Sequence, residues 1–371
     1  MDTPAGPPPA TAPPLSAPPP GTATPRVTTP PPGTAPPPGT APPPATPLAI
    51  VTDPARVRTI LADPRYTVPD PGRGAPPGTQ RWLRQNVARF SSGDDHARRR
   101  DLAEQLLRGL DPGLLRALAY HEASAVIDRA HGRPFDAVAL VAKRVSGLVL
   151  AAALGAADPE QVTRELPGVA AAYLPGAADP QRSDGSVARL TELLPAGPAE
   201  LVAARIGLLI QAYAATAGLI GTSVAAGLRA DGGAPAADLV RETLLRHPPV
   251  LVTGRVGPDG ETITLDLASA SRDASDDPRP RDDLNAQEDR DPGDGRDRGD
   301  GDDGRDARDD LAGSLAFGHG MHACPGAPQA RALAEGAAEP LLARCRLADE
   351  RITYPAPPAP QVPERLELTE I

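Results

Sequence analysis

The chain has few aromatic residues and few cysteines, and its excess charge is acidic rather than basic. One tryptophan, five tyrosines and three phenylalanines in 371 residues mean that a core has to be built from Leu, Val, Ile and Ala. Cys324 and Cys345 are the only cysteines, too few for a disulfide framework, which predicts a reducing, cytoplasmic location. The 38 basic and 48 acidic residues leave a net charge of −10, which argues against nucleic acids or anionic membranes as partners.

No membrane segment is expected from the sequence. Residues 1–47 have neither the basic region nor the apolar run of a signal peptide. An uncharged stretch at 206–228 is long enough to cross a bilayer, but it contains polar residues such as Gln211 and Thr222. We therefore interpret it as the buried central helix of a soluble protein.

Two low-complexity tracts stand out from the rest of the sequence, one before the predicted domain and one within it. Residues 1–47 contain 20 prolines and three copies of PPPGTA, which predicts an extended, disordered segment. Residues 276–310 hold 15 acidic residues and 7 arginines, which predicts a disordered, solvated insertion. The rest of 48–371 is expected to form one large domain.

Apolar periodicity predicts that this domain is mainly helical. A strand and then a helix are expected in 48–63, with the helix beginning at Asp53-Pro54. Apolar residues recur at helical spacing through five further segments, which are 96–108, 114–130, 136–157, 198–229 and 236–246. Two short β-type runs with a PDG turn follow in 250–267, and a last helix is expected over 327–345.

The stretch LAFGHGMHACPGAPQAR at 315–331 carries the chemistry. Cys324 lies among glycines just before a predicted helix, where the amide groups and helix dipole favour a thiolate. His319 and His322 are close in sequence and could stabilise anions. Such a thiolate suits a nucleophile, a redox thiol or an axial metal ligand. The lack of a second cysteine nearby argues against zinc and iron–sulfur sites, whereas a single thiolate suits haem.

This stretch resembles the haem-ligating signature of the cytochrome P450 family, FGxGxHxCxG followed by Ala-Arg. The matching residues are Phe317, Gly318, Gly320, His322, Cys324, Gly326, Ala330 and Arg331. The resemblance implies a mainly α P450-like fold with small β-sheets. It also implies haem b as cofactor, with Cys324 as the ligand of its iron and Phe317, Gly318, His322 and Gly326 in the cofactor-binding loop.

Other segments resemble the family in the same order along the chain. HARRR at 96–100 is similar to the helix whose His and Arg hold the haem propionates, and this implies that role for His96 and Arg100. Arg255, in Val-Thr-Gly-Arg, resembles the strand arginine that binds a propionate. SRDA at 271–274 is close to the family's NRDP. The resemblance covers roughly 48–275 and 311–371 and is closest to soluble bacterial members.

The chain departs from the family pattern in ways that affect catalysis. Aligned on TAGLIG, the family's acid–alcohol pair, which relays protons during oxygen activation, falls on Ala214 and Ala215. Thr216 is one residue late, and one helical step turns a side chain by about 100°, so it is a weak substitute. We retain these three positions as the expected catalytic segment.

The family's Glu-x-x-Arg motif is also altered. Glu242 is in register with it, but Leu245 occupies the Arg position, and Arg246 follows one residue late, where it could still pair with Glu242. The acidic tract of 276–310 stands where the family has an ordered segment whose arginine completes this network. The support of the cysteine loop is therefore expected to be weakened.

The resemblance implies a haem-thiolate monooxygenase that oxidises a small organic or carrier-bound substrate. No flavin or nicotinamide motif is present, so a separate ferredoxin-type protein is the expected electron donor. Two alternatives remain, which are a non-catalytic relative that assists a biosynthetic enzyme and a peroxide-driven haem enzyme.

Overall fold

A computed structural model describes residues 49–173, 180–230, 233–276, 311 and 314–371, which belong to one compact unit. Its helices are α1 (Pro54–Ala62), α2 (Gln80–Gln85), α3 (Gly93–Arg108), α4 (Pro112–Ala130), α5 (Arg144–Ala153), α6 (Pro159–Tyr173), α7 (Pro180–Leu193), α8 (Ala199–Arg229), α9 (Ala236–Arg246), α10 (Leu267–Asp276) and α11 (Ala327–Arg344). Its strands are β1 (Ala49–Val51), β2 (Phe135–Asp136), β3 (Val252–Val256), β4 (Thr262–Asp266), β5 (Cys345–Leu347) and β6 (Glu367–Glu370). Short 3₁₀ helices span Ala88–Phe90 and Gly320–His322, and a π-helical segment spans Val138–Lys143.

The predicted helix start at Asp53-Pro54 is confirmed in detail. The Asp53 carboxylate accepts a hydrogen bond from the Arg56 N–H at 2.7 Å, and Pro54 occupies the first turn, where no N–H is needed. α4 begins in the same way, since the Asp111 carboxylate accepts from the Gly113 N–H at 2.8 Å. Local cap chemistry therefore sets both helix starts.

Two three-stranded sheets lie at the edges of the helical body. The first has the order β1-β4-β3, in which β1 is parallel and β3 antiparallel to β4. The predicted PDG turn joins β3 to β4, and Gly260 in it has a φ of +81° that an L side chain rarely adopts. The second sheet has the order β2-β6-β5.

The core is built around α8, as its uncharged sequence predicts. α8 is long and apolar enough to cross a membrane by length and composition, but 67% of that apolar window is buried within the fold. It packs against α3, α5, α9 and α11. A smaller apolar cluster joins α1, β4 and α10 to Leu315 at the start of the cysteine loop. The fold thus holds the cysteine loop against α1 and α10.

The mainly α fold with small sheets is confirmed, and the predicted helices at 96–108, 114–130, 198–229, 236–246 and 327–345 match α3, α4, α8, α9 and α11. In 136–157 the structure has a short strand and a π-helical segment before α5. The segments α2, α6, α7 and α10 were not predicted as helices. Residues 1–47 and, apart from Asp276, the tract 276–310 lie outside the described residues, so their disorder stays a prediction.

Candidate functional site

Cys324 lies in a loop that closes on itself before α11. The Cys324 N–H donates to the Phe317 carbonyl oxygen at 2.7 Å, and the Gly318 N–H donates to that of Leu315 at 2.8 Å. Gly318 and Gly320 have φ values of +74° and +66°, in the left-handed region that favours glycine. These turns place the thiol at the tip of the loop, immediately ahead of the helix.

Three other elements hold this loop in place. At Gly320 a Cβ atom would lie 2.5 Å from the carbonyl oxygen of Leu61, so the loop backbone lies directly on the end of α1. From α3, the Arg100 guanidinium donates to the carbonyl oxygen of Ala323. From α10, the buried Ser271 hydroxyl accepts from the Leu315 N–H at 2.8 Å.

The structure brings the three side chains expected to bind propionates close to His322 of the cysteine loop. The His96 and His322 rings lie 4.1 Å apart between centroids, which joins α3 to the cysteine loop. Arg255 is 4% exposed, and its side chain donates to the carbonyl oxygen of Gly254 at 2.8 Å and to the Thr253 hydroxyl at 3.3 Å. Arg100 pairs with Glu104 at 2.5 Å while reaching the cysteine loop.

Burial and nearby positive charges lower the pKa values of His96, Arg255 and His322. Burial, followed by the nearby His96 and arginine charges, lowers the pKa of His322 to about 3. Burial, followed by Arg100 and Arg255, lowers the pKa of His96. Burial, followed by the charge of Arg89, lowers the pKa of Arg255 to about 10. Each shift disfavours a cation, so a bound anion would stabilise the whole set.

Part of the Cys324 residue is accessible to solvent, but many protein atoms lie around its thiol. Burial raises the pKa of its thiol, although the Gly326 N–H and the charges of Arg100 and Arg89 act in the opposite direction. The helix start alone therefore does not produce the thiolate expected from the sequence. A metal ion would remove the proton outright, because a coordinating thiol is deprotonated.

A short stretch in the middle of α8 is accessible, although most of this helix is buried. Gln211 is exposed and the residues from Ala212 to Ala215 are partly exposed, although the helix is mostly buried on either side of them. Ala214 and Ala215 thus present methyl groups where the family has an acid and an alcohol. Thr216 is 1% exposed and its hydroxyl has no partner among the described residues. Its catalytic role stays a prediction.

The altered Glu-x-x-Arg segment lies on the exposed face of α9. Glu242 and Arg246 pair at 3.6 Å as the i,i+4 spacing suggests, but both side chains are about 60% exposed. Between them Thr243 is buried, and its hydroxyl meets that of Ser223 on α8 at 2.9 Å. A buried hydroxyl pair therefore joins α8 to α9 here.

Two residues near the site, Ser271 and Arg89, are not among those that the sequence predicts. Ser271 anchors Leu315, and only the similarity of SRDA to NRDP pointed to that segment. Arg89, in the 3₁₀ helix Ala88–Phe90, is exposed, but its charge acts on Arg255, His322 and Cys324. Nothing in its local sequence distinguishes Arg89 from the many surface arginines.

The residues present fit haem. A single thiol lies beside two histidines and two arginines, and haem presents an iron atom and two carboxylates. No group of three or more potential metal-ligating side chains occurs within the described part of the chain.

Solved structures with the same architecture are cytochromes P450. P450BioI, crystallised with an acyl carrier protein carrying hexadec-9Z-enoic acid, covers 87% of this chain and 92% of its own at a TM-score of 0.67 and 22% identity. The myxobacterial CYP267B1 in complex with myristic acid covers 87% and 90% at a TM-score of 0.65 and 20% identity. CxnD, described as forming a C–S bond in chuangxinmycin biosynthesis, covers 89% and 90% at a TM-score of 0.64 and 19% identity.

Sequence similarity is limited to one segment. Cytochrome P450 monooxygenase PikC of Streptomyces venezuelae is 37% identical over 108 residues, which are 29% of this chain and 21% of PikC. No family model matches the sequence. The chain has the cytochrome P450 fold, which confirms the predicted resemblance to that family.

Proposed function

We propose that this chain, which has the cytochrome P450 fold, is a soluble, cytoplasmic haem-thiolate monooxygenase. The observation that carries the proposal is the convergence of the Cys324 thiol with His96, Arg100, Arg255 and His322. The reaction would insert one atom of O₂ into a C–H bond and reduce the other to water, using two electrons and two protons. The electrons would come from a separate ferredoxin-type protein.

Cys324 would ligate the iron of haem b, and the haem would supply the oxidative chemistry when bound. Arg100 and Arg255 would hold the propionates, assisted by His96 and His322. Phe317, Gly318 and Gly326 would shape the loop around the ligand. Burial lowers the pKa of both histidines, and a neutral ring would still have one N–H to donate to a propionate.

The distal helix would supply little proton-relay chemistry of its own. Ala214 and Ala215 have no acid or hydroxyl, and the buried Thr216 hydroxyl is one helical step, about 100°, away from Ala215. Protons would therefore reach the site through water or through a hydroxyl of the substrate. The methyl groups of Ala214 and Ala215 would meanwhile offer apolar contacts to the substrate.

The substrate would be a small organic molecule or an acyl group on a carrier protein. The similarity to P450BioI supports a carrier-bound acyl group, because P450BioI was crystallised with an acyl carrier protein. The complex of CYP267B1 with myristic acid supports a free fatty acid equally well.

The alanine pair favours a second candidate, a haem enzyme that uses hydrogen peroxide. Peroxide already contains both electrons and both protons that the ferredoxin route must deliver. An enzyme of this kind has less need of an acid–alcohol pair than an O₂-dependent one.

The exposed Glu242–Arg246 pair favours a third candidate, a non-catalytic relative that assists a biosynthetic enzyme. Without the buried network of the family, the cysteine loop depends on α1, Arg100 and Ser271 for support. If that support does not suffice for haem binding, the fold would serve as a partner protein.

Reconstitution of the purified protein tests the proposal. Myristate is incubated with ¹⁸O₂, NADPH, a ferredoxin and its reductase, or with hydrogen peroxide alone, and the products are analysed by mass spectrometry. We expect a hydroxylated product with one ¹⁸O atom in the first reaction, from the Cys345→Ser control but not from Cys324→Ser. Product with peroxide alone would favour the second candidate, and a folded protein without haem would favour the third.

A further inference from the structure

A recess of about 490 Å³ lies between the end of α4, β2 and the start of α5. Val126, Phe135 and Leu140 contribute apolar side chains to its lining. The lining also contains three arginines, which are Arg129, Arg133 and Arg144, and no acidic residue. The volume is in the range of pockets that hold small organic molecules. None of these residues belongs to the candidate haem site.

The chain that connects α4 to β2 is fixed in place, so the recess is part of the fold. His131 and Gly132 have φ values of +50° and +73°, which turn the chain away from the axis of α4. The Thr369 hydroxyl donates to the Gly132 carbonyl oxygen at 3.1 Å. Phe135 pairs with Leu368 of β6 and is buried in the main core. A site built on such elements is preformed.

The three arginines differ in how the chain neutralises their charges. Arg144 binds the Glu160 carboxylate, and its Nη1 atom lies 3.6 Å from Glu122 Oε2. That Nη1 atom is buried and makes no hydrogen bond with the described residues. Arg129 and Arg133 are exposed and make no ion pair with the described part of the chain. Two positive charges at the recess are therefore left without an acidic partner there.

The end of α4 explains only part of this charge. A cation beside the last turn of a helix is favoured by the helix dipole. The Arg133 Nε donates to the Ala130 carbonyl oxygen at 3.4 Å, which is long for such a hydrogen bond. Because two like charges at one recess repel each other, an anion bound between Arg129 and Arg133 stabilises both.

We propose that this recess binds a soluble organic phosphate ester, with the phosphate at Arg129 and Arg133 and the apolar group against Phe135 and Leu140. A phosphate monoester has a charge of about −1.5 to −2 at pH 7 and three terminal oxygens, so it can accept from two guanidinium groups at once. A carboxylate is matched by a single guanidinium. Leu140 is 44% exposed, and a bound apolar group removes this surface from water.

The free ester is favoured over the head group of a lipid because the chain has a net charge of −10, which opposes approach to an anionic membrane. The inference goes beyond the proposed function, since it involves neither haem nor the cysteine loop.

Three ligands test the assignment, which are 1-naphthyl phosphate and its two halves, 1-naphthol and inorganic phosphate. Their binding to the full chain is measured by isothermal titration calorimetry in about 0.15 M salt, so that weak surface attraction is screened. The proteins are wild type, Arg129→Gln, Arg133→Gln and Arg346→Gln. Arg346 is exposed on β5, outside the recess, and controls for the loss of one positive charge. Circular dichroism checks that each variant is folded, and the comparison of ligands on wild type needs no variant.

We expect wild type to bind one molecule of 1-naphthyl phosphate. Arg129→Gln and Arg133→Gln should each weaken that binding about ten- to a hundredfold, the range for a lost charge-assisted hydrogen bond. Arg346→Gln should change it less than about twofold. Each half should bind to wild type more than about tenfold more weakly than the ester. Absence of saturable binding, an equal loss with Arg346→Gln, or equal affinity for either half would overturn the assignment.

Two further measurements separate this site from a lipid site and from the proposed function. Cosedimentation with vesicles of phosphatidylcholine and phosphatidic acid, abolished by Arg133→Gln, would assign the recess to a membrane lipid and overturn the soluble ester. Calorimetry before and after haem loading should give the same affinity. A chain that binds 1-naphthyl phosphate but never takes up haem contradicts the monooxygenase and not the phosphate site.

Discussion

Replacing Gly320 with alanine perturbs the contact that seats the cysteine loop on α1. The new Cβ atom would lie 2.5 Å from the Leu61 carbonyl oxygen and 2.8 Å from the Ala62 Cα, which are backbone atoms that cannot rotate away. The φ of +66° adds the strain of a left-handed conformation, about 1–2 kcal/mol. Relief of the close contact costs roughly 1–3 kcal/mol more.

Gly318 provides a matched control in the same loop. Its φ of +74° gives the same backbone strain, but the nearest atom to a new Cβ is the Ala323 Cα at 3.7 Å, an ordinary contact. We therefore expect Gly318→Ala to lower the free energy of unfolding by about 1–2 kcal/mol. Gly320→Ala should lower it by about 2–5 kcal/mol.

Urea unfolding followed by the fluorescence of Trp82, the single tryptophan, measures both values. Trp82 is buried in the main core, so its emission reports global unfolding. Equal destabilisation by the two alanines would refute the argument, since it would mean that the loop does not rest on α1.

Three further predictions concern buried polar groups and pH. Ser223→Ala should cost about 1–3 kcal/mol because it removes the donor to the buried Thr243 hydroxyl. Thr243→Val should cost less, because the Ser223 hydroxyl can still donate to the Leu239 carbonyl oxygen at 3.4 Å. In a urea-unfolding cycle the double variant should lose less than the sum of the two single losses, and additive losses would contradict the pairing. Thr216→Val keeps the shape and removes a buried hydroxyl that has no partner among the described residues, so the unfolding free energy should rise by about 1 kcal/mol; a loss would show a hidden partner. Because the pKa of His322 is about 3 in the folded chain and about 6.5 in the unfolded chain, only the unfolded chain takes up a proton between these values, and stability falls as pH drops below about 6.5. His322→Gln should make that fall shallower by up to about 1 kcal/mol per pH unit, and an unchanged slope between pH 6 and 4.5 would contradict the assignment.

Strong local signals let the sequence predict much of this fold. Three of these signals each favour one structure, and the fold contains it. They are the helix start at Asp53-Pro54, the long buried helix α8 and the turn at PDG. The Leu-Pro-Gly segment at 166–168 disfavours a helix, yet α6 continues through Pro167. Tertiary packing of Val162, Leu166 and Val169 into the core outweighs that local preference.

The residues of the candidate site could be predicted where they belong to a short, recognisable sequence motif. Cys324, His96, Arg100 and Arg255 came from short motifs, and the fold brings the last three to the cysteine loop. Arg89 and Ser271 were not found, because the role of each depends on neighbours distant in sequence. The electrostatic neighbours of Arg89 include residues 166 and 235 positions away, and Ser271 binds Leu315 across 44 positions.

The exposed pairing of Glu242 with Arg246 follows from the position of the arginine, which comes one residue later than in the family's motif. Arg246 lies at i+4 rather than i+3 from Glu242, so the pair forms on the outer face of α9 while Thr243 faces the core. Sequence predicted the pairing, but its position on the surface became clear only from the structure.

The absorption spectrum of the reduced protein under carbon monoxide tests the central claim, that Cys324 ligates haem. We expect a strongly red-shifted Soret band for wild type and for the control Cys345→Ser, whose thiol is buried beside the second sheet. The band should be absent in Cys324→Ser. A folded wild-type protein with no such band, or a band that survives in Cys324→Ser, would contradict the account.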